Sequence, residues 1–198
     1  MTAPFHYPAS PLVRRHAPRG YRSPIGYRPW LRDEFAFRCV YCLVREVWQP
    51  RDLEVEHFTP TVLAPDRATD YANLLYACRA CNAAKAAQRI PDPTRALVGG
   101  SMTVEPDGTL TATTPAAERI IDGLRLNVAG YRELRRLWIE IVELARRNDP
   151  ALHARLLRYP DDLPDLSKLR PPGGNERPDG LRDSHFARRR RGELPATY

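Results

Sequence analysis

Cys39 and Cys42 are separated by two residues, and so are Cys78 and Cys81. A cysteine pair at this spacing bends the backbone so that both thiolates face one ion, and two such pairs complete the tetrahedral sulfur site that Zn2+ accepts. Protein then fills all four positions, which makes the ion structural. Buried free thiols or two disulfides are the alternatives, and the repeat of the spacing in a short chain favours zinc. Residues 43–77 are more than a simple zinc ribbon needs, so something is inserted between the knuckles. The insert carries Glu56-His57 after the strand-like Leu53-Glu54-Val55. Asn73 precedes Leu74-Leu75-Tyr76-Ala77, and the second knuckle runs into Asn82 and Lys85. Cleaving a phosphodiester requires a base, a cation and a fixed geometry. An imidazole such as that of His57 takes a proton from water near neutral pH. A hard divalent ion such as Mg2+ or Mn2+ takes oxygen ligands, which a carboxylate and an amide carbonyl supply.

Taken singly, these residues are ordinary: His57 a surface histidine, Asn73 a turn residue, Asn82 a helix cap, Glu56 a solvated acid. Nested within paired knuckles, the set resembles the HNH endonuclease family. That family has an acidic residue beside a histidine, an asparagine before the second strand, and a histidine or asparagine opening the helix. Here the pattern is Glu56-His57, Asn73 and Asn82, an H-N-N variant, and the CxxC clasp is similar to the zinc-bearing branch. The wording EHFTP and YANLLYACRACNAAK resembles the HNH subunits of some bacterial anti-phage systems, which act beside an ATPase. The resemblance covers residues 35–92, and more weakly Ala117 to Arg136. It implies a strand-strand-helix metal core that hydrolyses DNA, with His57 as base and Glu56 and Asn82 as ligands of the catalytic ion. It gives Asn73 the part of a clamp on the His57 loop, suited to a side chain that both donates and accepts. Neighbouring strand residues point to opposite faces, so a local distortion is expected to turn Glu56 and His57 toward one phosphate. Lys85, one helical turn after Asn82, is a candidate phosphate contact; Arg79 and Arg89 are less specific ones.

The expected fold is therefore α+β: a small ββα core over residues 28–95, stapled by the four-cysteine zinc site, between other segments. Residues 1–27 read as a basic, proline-rich arm. Residues 96–160 read as a turn-rich connector and helical region. In it Asp107-Gly108 marks a hairpin between 103–104 and 109–111, and Thr114-Pro115 opens a helix. Ile120, Leu124, Leu134, Leu137, Trp138, Ile141 and Leu144 recur at helical spacing up to Asn148-Asp149-Pro150, and a short helix follows from Ala151 to Leu157. Residues 161–198 are rich in Pro, Gly and charge and read as a largely disordered basic tail.

The chain has 198 residues, 20 of them proline, and a net charge of +7. A basic balance points to a polyanion, nucleic acid first, although an arginine-rich, lysine-poor composition also follows from base composition in the genome. Arg188 to Arg191 is a candidate non-specific DNA contact. No stretch approaches the ~20 apolar residues of a membrane helix. The absence of an apolar signal core in Met1 to Pro11 suggests the reducing cytoplasm, which again favours metal over disulfides. Two readings compete with a nuclease. One is a zinc-containing nucleic-acid-binding module without catalysis, with His57 incidental. The other is a subunit whose residues 115–158 dock a partner.

Overall fold

The computed structural model describes residues 4–198; the first three residues of the basic arm lie outside them. In chain order the elements are α1 (Arg28–Glu34), β1 (Glu54–His57), β2 (Leu74–Ala77), α2 (Arg79–Lys85), α3 (Pro93–Ala96), β3 (Met102–Val104), β4 (Leu110–Ala112), α4 (Pro115–Gly123), α5 (Ala129–Asn148), α6 (Pro150–Leu156) and α7 (His185–Arg190). The fold is α+β: two separate two-stranded antiparallel sheets among helices.

The β1-β2-α2 unit forms for local reasons. β1 pairs with β2 from Glu54↔Ala77 to His57↔Leu74, and all four residues of β2 are buried. Cys78 then caps α2, its sulfur accepting from the Cys81 amide. Strands this short are marginal alone. They are held by α1, whose Trp30 and Leu31 are fully buried, and by the cysteine cluster beneath.

The connector matches its turn chemistry. Gly108 takes φ +81° in the turn joining β3 to β4, and the Thr114 hydroxyl accepts from the Ala117 amide to start α4 at Pro115. Trp48, in the segment after the first knuckle, stacks on Trp138 of α5 at 4.2 Å between centroids, and its indole N–H donates to the Leu156 carbonyl. These contacts tie the helical region to the β1-β2-α2 unit.

Both flanking segments are packed on the rest of the protein. The arm is irregular but packed, with Phe5 and Tyr7 buried and the Tyr7 hydroxyl on the Tyr41 carbonyl. Residues 161–198, expected to be largely disordered, are folded back on α1. Phe37, Tyr159, Leu163 and Tyr198 make a second apolar cluster. Fully buried Asp33 accepts from His16 of the arm at 2.8 Å and from the His185 ring at 2.9 Å. A buried carboxylate with two imidazole partners anchors both segments, and no local pattern in the tail reveals it. Among the described residues, no helix is long and apolar enough to cross a membrane.

Candidate nuclease site and metal centre

The four knuckle cysteines are buried and unbridged, and their sulfurs all lie within 4.8 Å of one another. Cys42 and Cys78 are 3.8 Å apart. A tetrahedron with Zn–S near 2.3 Å has edges of about 3.8 Å, so the cluster has the size of a Zn2+ site. Charge leads to the same conclusion. Burial pushes the Cys39 thiol up, and neighbouring sulfurs raise Cys81 while pulling Cys78 down. Without a cation the cluster cannot hold several thiolates in so dry a place. The cysteines arrive there because the first pair sits on a tight turn, with Leu43 at φ +58° and its amide on the Cys39 carbonyl. The second pair opens α2.

Above this centre the site residues fall into separate groups. β1 is regularly paired to its end, so the expected distortion is absent: Glu54 and Glu56 share one face, and His57 leaves on the other. The acidic face meets α2 in two parallel contacts. Glu54 accepts from the Asn82 amide at 2.8 Å, and Glu56 takes Lys85 at 2.6 Å. Residues 82 and 85 are one helical turn apart and 54 and 56 two strand positions apart, so the two elements keep step.

Glu56 is thus placed differently from an open ion ligand. It is buried, with one oxygen on the Lys85 ammonium and the other accepting from the Tyr41 hydroxyl at 2.9 Å. That phenol's pKa is raised, first by burial and then by the Glu56 charge. Lys85, a candidate phosphate contact in the sequence, is fully buried, and its ammonium also donates to the His57 carbonyl at 2.8 Å. It braces the strand end that carries the histidine. Glu54, which the sequence pattern did not single out, is the half-buried carboxylate beside Asn82. Its position two residues before Glu56 was the available signal, since period-two spacing puts both on one face.

Asn73 is fully buried. Its side-chain carbonyl accepts from the Thr59 amide at 2.8 Å, and its NH2 donates to the carbonyls of Thr59 and Arg67. The loop between His57 and Asn73 is therefore closed on itself. From that loop the Ala68 carbonyl takes a hydrogen bond from His57 Nε2 at 2.9 Å. A carbonyl only accepts, so Nε2 carries the proton and Nδ1 is the basic nitrogen. No group among the described residues bonds Nδ1. Arg79 and Arg89 are exposed near the two ends of α2.

The site is thus a short strand pair and helix, clasped by a four-cysteine cluster, with a half-exposed histidine at the end of the first strand. Residues 39–88 match the model of the HNH endonuclease family. They span both knuckles and the residues above from Tyr41 to Lys85, and stop one short of Arg89. A search among curated proteins finds no match.

Proposed function

We propose that this protein is a metal-dependent endonuclease that hydrolyses DNA phosphodiesters, with His57 as the general base. One observation carries the reading: within the HNH-matching residues, His57 is fixed by the Ala68 carbonyl in the tautomer that leaves Nδ1 free to take a proton from water. Asn73 holds the loop that supplies that carbonyl. A divalent ion, Mg2+ or Mn2+, would be held by the side-chain carbonyl of Asn82 and the Glu54 carboxylate, half-buried groups already side by side. When bound, such an ion absorbs charge on the phosphorane. The resemblance alone points to Glu56 for that ligand; its burial against Lys85 supports a positioning role instead, holding the His57 backbone through Lys85. Zinc on the four cysteines keeps β1 and α2 in step.

The finer reading, a nuclease effector of a bacterial anti-phage system beside an ATPase subunit, rests on the EHFTP and YANLLYACRACNAAK wording. The basic charge is consistent with DNA as the substrate.

Supercoiled plasmid with Mg2+ or Mn2+ is the test, alongside an EDTA control and His57→Ala. Cutting that needs metal and disappears in His57→Ala, while plasmid binding persists, establishes the nuclease. Within it, Glu54→Gln is expected to raise the Mg2+ concentration needed for half-maximal cutting at least about tenfold, the loss of one charged ligand. Glu56→Gln is expected to lower the rate without that shift. One observation favours the non-catalytic reading: His57 leaves β1 on the face opposite the two carboxylates. Plasmid binding by both proteins with cutting by neither selects that reading.

A further inference from the structure

α5 has two apolar faces. Arg135, Val142 and Ala145 turn inward and are buried, with Trp138 partly buried beside them. Leu134, Leu137, Ile141 and Leu144 remain 43%, 42%, 43% and 59% exposed. Single exposed leucines are ordinary; a continuous stripe along one helix marks an interface. The spacing of three, four and three residues is that of the a and d positions of a heptad, the seam of a helix pair. Trp138 and Ala145, at e positions on one side of the seam, belong to the chain's own core face. On the other side, at g positions, stand Glu133, Glu140 and Arg147.

We infer that this stripe is a self-association surface on which α5 packs antiparallel against α5 of a second copy. Charge selects both occupant and direction. In the antiparallel register Leu134 meets the partner's Leu144 and Leu137 meets the partner's Ile141. The g rows then face each other, with Glu133 opposite the partner's Arg147 at both ends. Glu140 meets its own counterpart near the two-fold axis, where Arg136, shared between Glu133 and Glu140 on each helix, is left to Glu140 once Glu133 turns to the partner's Arg147. Glu133 and Arg147 are paired only with exposed neighbours on their own helix, Arg136 and Glu143, pairs worth little and readily exchanged. A parallel pair would set Glu133 and Glu140 against e positions, which hold Trp138 and Ala145 and carry no charge. The four apolar side chains supply on the order of 300 Å2 per copy, less than the ~800 Å2 of a standard interface. The dimer is therefore expected to dissociate in the micromolar range.

The test is sedimentation velocity on the full-length, zinc-loaded protein up to roughly 100 μM. The expected result is a concentration-dependent shift from the 22.6 kDa chain to twice that mass. Leu137→Glu with Ile141→Glu should hold the protein monomeric with an unchanged melting temperature, since both side chains lie outside the core. Glu133→Arg and Arg147→Glu should each weaken the dimer, and the two together should restore it. A monomer at every concentration overturns the inference. So does a dimer indifferent to the Leu137 and Ile141 changes, or one in which the double charge exchange fails to restore what each single change loses.

Discussion

Lys85 and Glu56 are fully or nearly fully buried and bonded to each other. Removing one partner of such a pair leaves an uncompensated charge in the interior, whereas removing both is far better tolerated. Lys85→Met is therefore expected to cost about 3–5 kcal/mol of unfolding free energy, and Lys85→Met with Glu56→Leu distinctly less, as measured by urea denaturation. If the single change were silent, the pair would not be braced as described. At this scale the sequence supplied the cast but not the pairing. His57, Asn73 and Asn82 stood out by type and order; which carboxylate meets Asn82, and which meets Lys85, depends on how α2 is rotated against β1. That rotation is set jointly by the cysteine cluster and the buried residues of β2. Two charged residues separated by 29 positions carry no local sign that they will meet in the interior.

Elements were legible where local chemistry decides them. Thr114-Pro115 and Asp107-Gly108 mark a helix start and a turn whatever the rest of the chain does. Gly108 has a second constraint that no local pattern contains: a Cβ there would run into the Arg132 carbonyl of α5. Gly108→Ala is therefore expected to destabilise the protein by more than the ~1 kcal/mol of ordinary glycine replacements, read as a lowered melting temperature. For α5 the leucine periodicity identifies the helix but not its inward face. That face carries Arg135, whose guanidinium is buried because it donates to the Gly108 carbonyl at 2.6 Å and the Leu126 carbonyl at 2.7 Å. β1 and β2 have four residues each and lean on the cysteine cluster for their stability. Stripping zinc with a strong chelator should abolish the near-ultraviolet circular dichroism of the β1-β2-α2 unit, and zinc should restore it.

Across the whole molecule, proline, glycine and charge in residues 161–198 read as disorder because nothing local rewards order there. The reward comes from Asp33 and from the aromatic cluster around Tyr159, whose ring stacks on Tyr198 at 4.3 Å. Burial pushes the Asp33 carboxyl up, but hydrogen bonds from His16 and His185 outweigh it and hold the group well below the usual carboxylate range. A carboxylate with a depressed folded-state pKa stabilises fully above its unfolded value, near 3.9, and loses that contribution as pH falls below it. Asp33→Asn is therefore expected to lower stability by about 3 kcal/mol at neutral pH. The gap from wild type should close as pH drops below ~4, as followed by thermal melts; a pH-independent gap would place the stabilisation elsewhere. The bond from His185 to Asp33 also joins residues 152 positions apart. Closing so long a loop is slow relative to forming local structure, while both knuckles and α2 lie within the first half of the chain. During synthesis the cysteine-clasped unit can therefore assemble while the tail is still being made, and α1 keeps an open flank until residue 185 has emerged. The tail acts as a late latch, so a stalled or truncated chain would carry a formed β1-β2-α2 unit with Asp33 still lacking one of its partners.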